Sequence, residues 1–87
     1  MKLIELLVKE LEEWPHGVTY FVQDRDGEVK AAGESEPREP REPSSSGVWI
    51  RRSPLDNYNF YSGLCDDWQT SIVTKDIYTK HKEWMGK

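Results

Sequence analysis

The stretch Trp14-Pro15-His16-Gly17-Val18-Thr19-Tyr20-Phe21-Val22-Gln23-Asp24-Arg25-Asp26-Gly27-Glu28-Val29-Lys30 constrains the fold more than any other part of the chain. Pro15 disfavours helical backbone at Trp14, so a helix preceding it stops near Glu13. Asp26-Gly27 then lies between two β-prone runs, and glycine supplies the positive φ that a tight turn between twisted strands demands. A helix stop followed at once by a hairpin points to a small α+β domain.

The helix occupies residues 2–13. Leu3, Ile4, Leu7, Val8, Leu11 and Trp14 recur at helical spacing and make one apolar face, with Glu5 and Lys9 paired one turn apart off that face. Strand one is Val18–Asp24 and strand two Glu28–Ala32. In strand one Val18, Tyr20 and Val22 alternate with Thr19, Phe21 and Gln23, so an aromatic points to each face, as in a strand covered on both sides. Asp24-Arg25-Asp26-Gly27-Glu28 superficially resembles a calcium loop. It lacks that loop's length, its third ligand position and its distal bidentate glutamate, so it reads as a turn and not a metal site.

Residues 33–46 carry Pro37, Pro40 and Pro43 at every third position among Glu, Arg and Ser, with no apolar side chain to bury. This predicts a flexible or semi-extended loop. A docking peptide for a proline-binding domain is the sharper alternative, on a spacing too common to add much. Gly47-Val48-Trp49-Ile50-Arg51-Arg52 reads as strand three, with Val48 and Ile50 on one face and Trp49 and Arg51 on the other. A turn-rich aromatic connection follows, with an optional short strand at Tyr58–Tyr61, and then a last strand at Thr70–Thr74. Thr74 is a natural cap for a final helix whose apolar face holds Ile77, Tyr78, His81, Trp84 and Met85. The expected order is α-β-β-β-(β)-β-α in a single domain spanning 1–87: an antiparallel sheet of three to five strands, with both helices packed on one face.

Composition narrows the function classes. The chain has 87 residues and a formal net charge of −4. Residues 1–46 hold eleven acids and six bases, and residues 47–87 five acids and six bases. Strong phosphate-backbone binding draws on clustered Lys and Arg, so this balance argues against nucleic acid as a partner. The single cysteine, Cys65, excludes an internal disulfide and suits a reducing cytoplasm. No apolar run reaches the roughly 20 residues a membrane-spanning helix needs, and Glu5 interrupts what would be a signal sequence.

Catalytic chemistry finds no foothold. Cys65 beside His16 or His81 would need a third group to orient the pair, and Asp66-Asp67 next to Cys65 disfavours the thiolate. There is no paired Cys/His spacing for zinc and no glycine-rich phosphate loop. Glu12-Glu13 and Asp66-Asp67 are sequence neighbours that point to different faces. The expectation is a non-enzymatic protein with no cofactor, metal or catalytic residues. Trp49, Arg51, Arg52, Tyr58 and Tyr61 are of the types enriched at interface hot spots, and they are the candidate partner-binding residues. The same types stack on single-stranded bases. A small nucleic-acid binder using the Trp49–Arg52 strand and the neighbouring aromatic loop is therefore the alternative.

Three motifs carry a resemblance: Glu13-Trp14-Pro15-x-Gly17-Val18-Thr19, Val22-Gln23-Asp24-x-Asp26-Gly27-x-Val29-Lys30, and Asp67-Trp68-x-Thr70-x-Ile72-Val73-Thr74. Together they resemble small accessory proteins of unknown function encoded by tailed bacteriophages and prophages of enteric bacteria. The match covers both ends of the chain and leaves out the Pro/Glu/Arg/Ser segment and residues 53–63. Its motifs are structural, so it assigns no site residue. It implies a protein that acts in the cytoplasm of the bacterial host by binding another protein, as an inhibitor or modulator of a host or defence protein.

Overall fold

The computed structural model describes residues 1–33, 44–51 and 53–85. Two helices and four strands run in the order α1 (Leu3–Glu10), β1 (Tyr20–Gln23), β2 (Glu28–Ala32), β3 (Pro54–Tyr61), β4 (Val73–Thr74) and α2 (Lys75–Met85). The sheet is antiparallel with spatial order β3-β2-β1-β4. This is the expected α+β arrangement, with a helix at each end of a small antiparallel sheet.

The hairpin forms around a three-residue loop. Gly27 N–H donates to Asp24 C=O at 2.9 Å, and Gly27 itself has φ +90°. This pairs a tight turn with a left-handed residue that restores strand register. Gly27 is needed for a second reason. A Cβ there would lie 2.3 Å from the Ser62 carbonyl oxygen, which is backbone and cannot swing aside. Gly27→Ala is therefore expected to cost about 2 kcal/mol, from positive-φ strain plus displaced chain; a urea denaturation midpoint within error of wild type would show that the turn relaxes freely.

Both faces of β1 are covered, as its alternation requires. Phe21 joins Leu3, Leu6, Leu7, Val29, Ala31, Val73 and Tyr78 under the helices. Tyr20 and Val22 join Ala32 and Trp49 on the opposite face. Leu6, which lies off the helical face expected from the sequence, is buried with Leu3 and Leu7. The helix ends at Glu10, earlier than expected, with Leu11 already extended at φ −101°, ψ 124°. The chain then turns so that Trp14 Nε1 donates to Val18 C=O at 2.7 Å, and its ring meets Phe21 edge-on at 5.3 Å.

The first turn of α1 is capped from afar. Glu5 accepts the Lys2 N–H at 2.8 Å, and Asp67 Oδ1 accepts the Leu3 N–H at 2.9 Å. Two of the donors every helix start leaves unpaired are thereby satisfied. Asp66 pairs with the Met1 amino group at 3.0 Å, which gives the two adjacent acids structural work.

Three expectations need correction. Residues 47–51 are not a strand. Gly47 has φ +83° and Trp49 N–H donates to the Asp24 carboxylate, so the segment crosses the open sheet face instead of joining the ladder. The optional strand is real and longer than Tyr58–Tyr61, running over Pro54–Tyr61 with a register shift opposite Val29 and Ala31. The last strand is only Val73–Thr74. Thr74 does cap α2, its Oγ1 accepting the Ile77 N–H at 3.4 Å. Residues 34–43 of the proline-rich loop fall outside the described residues.

Candidate functional site

Of the five candidate partner-binding residues, the four that are described do not converge. Trp49 is 4% exposed, with its indole N–H donating to Gln23 C=O at 2.8 Å. It is a core residue of the second face, not an exposed anchor. The physical reason lies at the sheet edge: β4 pairs with Tyr20 and Phe21 and then stops, leaving the Gln23 carbonyl open. The Trp49 indole satisfies that carbonyl, and the Arg25 N–H just beyond donates to Gly47 C=O at 2.8 Å. Arg51 is half-buried and donates to Ala31 C=O, where the shifted register of β3 leaves β2 without regular pairing. Tyr58 packs against the helix-side core, with its hydroxyl on the His16 carbonyl at 3.4 Å. Tyr61 alone of the four described is well exposed, at 70%, with its hydroxyl donating to Glu28 at 3.3 Å. Arg52 lies outside the described residues. The signal that misled was composition without direction: Trp and Tyr types say interface or core alike.

Beside Trp49 lies a polar group that the sequence reading did not single out. Asp24 is 2% exposed, yet it is charged and sits on the second face next to Val22. Its Oδ1 accepts Trp49 N–H at 2.9 Å, and its Oδ2 lies 2.7 Å from Lys30 Nζ, with no hydrogen-bond donor besides. Lys30 also lies 3.6 Å from Glu28 Oε2. The Asp24 hydrogen bond is the main cause that holds the Lys30 ammonium above its usual pKa, partly opposed by burial. Asp24, Asp26 and Glu28 place carboxylate oxygens within 4.8 Å of one another, close enough to hold a metal ion. Lys30 already supplies a cation to two of them, and Asp26 Oδ1 accepts the Glu28 N–H at 2.9 Å. One ammonium thus serves two of the three carboxylates, and the turn keeps a net negative charge.

Gln23 is a second buried polar residue missed from sequence. Its amide donates to Gly27 and Gly63 carbonyls at 3.2 and 3.1 Å and accepts the Cys65 N–H at 2.9 Å, tying the hairpin to the 62–65 segment. Cys65 lies beneath it, and burial, then Asp67, pushes its thiol pKa up. That works against a thiolate nucleophile.

Exposed apolar surface is found elsewhere, on α2. Among the described side chains of the apolar face expected to be buried, Tyr78 alone is; it donates to Leu11 C=O at 2.8 Å and leans on Trp14 at 5.4 Å. Ile77 is 45% and Trp84 73% exposed. His81 lies against Trp84, with ring centroids 5.9 Å apart. The helix docks on α1 through Tyr78 and through Lys82, whose ammonium reaches the Glu12 carbonyl and the Tyr78 hydroxyl. That docking turns Ile77 and Trp84 away from the core. Among the described residues no helix is long and apolar enough to cross a membrane. Comparison with known protein families, with curated proteins and with solved structures finds no match.

Proposed function

We propose that this chain works by contact with another protein, without catalysis, and that the contact surface is the outward side of α2. The observation that carries the reading is Trp84, an indole 73% exposed on a helix with one buried apolar residue among those described. Ile77, His81 and Trp84 stand at i, i+4 and i+7, the spacing with which a helix lays its apolar side into a groove on a partner. An exposed Trp is costly to leave idle, and Trp is the residue type most enriched among interface hot spots. The resemblance to phage and prophage accessory proteins fits a small binder acting inside a bacterial host on a host or competitor protein. The nucleic-acid alternative loses one of its two described anchors to the core and sees Arg51 tied to a backbone carbonyl.

Trp84→Ala is expected to change stability by less than about 0.5 kcal/mol, because little surface is buried there, and to weaken partner binding by about 2 kcal/mol or more. The check is capture from host lysate with and without nuclease, using wild type, Trp84→Ala and Ile77→Ala, with a photo-cross-linker at position 84 to mark direct contact. Retention of the same partner at unchanged affinity by both variants would remove α2 as the surface. Loss of all captured protein after nuclease would favour the nucleic-acid reading.

A further inference from the structure

We propose that the groove between the hairpin turn and the turn at 66–70 binds a small oxyanion of the phosphate-monoester class, with Arg25 as its anchor. This site is separate from the α2 surface and does not depend on it. The groove has a volume of about 450 Å³ and is lined by Arg25, Ser44, Ser45, Trp68, Gln69 and Thr70, together with the backbone at Gly47. It offers one guanidinium, three hydroxyls and a carboxamide, and no carboxylate among the described residues lines it. The one charged side chain in this described lining is therefore a cation, in a chain of net charge −4.

The neighbouring acids are engaged elsewhere. Asp24 is held by Lys30 and the Trp49 N–H, and Asp26 accepts from Glu28 N–H. Asp67 accepts from Leu3 N–H. No carboxylate among the described residues pairs with the Arg25 guanidinium. The backbone and stem of the arginine are held against the neighbouring turn. Its N–H donates to Gly47 C=O at 2.8 Å, and a Cβ on Gly47 would lie 2.4 Å from Arg25 Cβ, so the side-chain stem runs against the bare glycine. Guanidinium forks match oxyanions, and hydroxyls donate to the remaining lone pairs. The volume falls at the small end of ligand sites, roughly 300–1,000 Å³, with room for the organic group of an ester beside its phosphate.

The test follows backbone amide shifts of Arg25, Gly47 and Thr70 while inorganic phosphate, a nucleoside monophosphate or a sugar phosphate is added at constant ionic strength, with chloride as the control. Saturable shifts confined to these amides are expected. Arg25→Gln should weaken binding by about tenfold or more, the loss expected for a charge-assisted hydrogen bond, and Arg25→Lys by less. Each variant's unchanged spectrum away from the groove certifies its fold. Tighter binding of an ester than of phosphate places the organic group in the groove; equal affinity assigns the site to the free oxyanion. Absence of saturation, equal shifts with chloride, or undiminished binding by Arg25→Gln would overturn the proposal.

Discussion

Trp49→Ala should destabilise the protein by about 4 kcal/mol, the range for emptying a buried Trp site. The loss has two parts. A large ring leaves the second sheet face, where it packs with Tyr20, Val22 and Ala32. The Gln23 carbonyl also loses the indole N–H that satisfies it. A domain of this size has a total stability of roughly 4–13 kcal/mol at the usual per-residue scale, so the variant should lose about a third or more of it and melt well below wild type. Trp49→Phe restores most of the volume but not the N–H, and should recover about half of the loss. Thermal melts followed by far-ultraviolet circular dichroism decide it. A shift equivalent to less than about 1 kcal/mol for the alanine variant would mean that the second face tolerates a void.

Asp24→Ala should cost about 3–5 kcal/mol, because removing one partner of a buried pair strands the other. Lys30 would keep only the distant Glu28 carboxylate, and the Trp49 N–H would lose its acceptor. Lys30→Met keeps the apolar stem but strands the more deeply buried Asp24 carboxylate, and should cost about as much. The pair also predicts a pH dependence. The ammonium is held above its ordinary 10.5 in the folded state, so its stabilising contribution is present in full below that value and is lost as the pH rises through the raised folded pKa. The stability gap between wild type and Lys30→Met should therefore narrow in strongly alkaline buffer and stay constant from neutral pH to about pH 10. A gap that closes on the acid side of neutrality instead would show that the lysine is not the titrating partner.

Local pattern and turn chemistry carried the reading of α1, the hairpin and the junction at Thr74. Two aromatics on opposite faces of β1 announced a strand buried on both sides, and it is. What covers the second face was not legible. The alternation in residues 47–51 separates two faces without saying which is inward: Trp49 points in, and Val48 and Ile50 point out. Only the unpaired stretch of the β1 edge, a tertiary fact, decides that. The length of β3 is hidden by Asp56, Asn57 and Asn59, poor strand formers that lie between the stretches of β3 paired with β2 at Pro54–Leu55 and Phe60–Tyr61. For α2 the periodicity was present, yet a period says which residues share a face, not whether anything covers it. Helix docking through Tyr78 and Lys82 settles the orientation, and no single-sequence signal encodes it. The Arg25 groove depends on two turns distant in sequence, joined through Gly47.

The remote capping of α1 has a consequence for synthesis. The acceptor for the Leu3 N–H lies 64 positions further along the chain. During synthesis α1 therefore emerges before its capping carboxylate, and isolated helices of this length are marginal in water. Its burial also waits on Val29, Val73 and Tyr78. The nascent chain gains little from an early start, and folding should be concerted and wait until α2 has emerged. A nascent chain arrested before Asp67 clears the ribosome exit should be as sensitive to protease in its first turns as an unstructured peptide, and should gain protection abruptly once α2 has emerged.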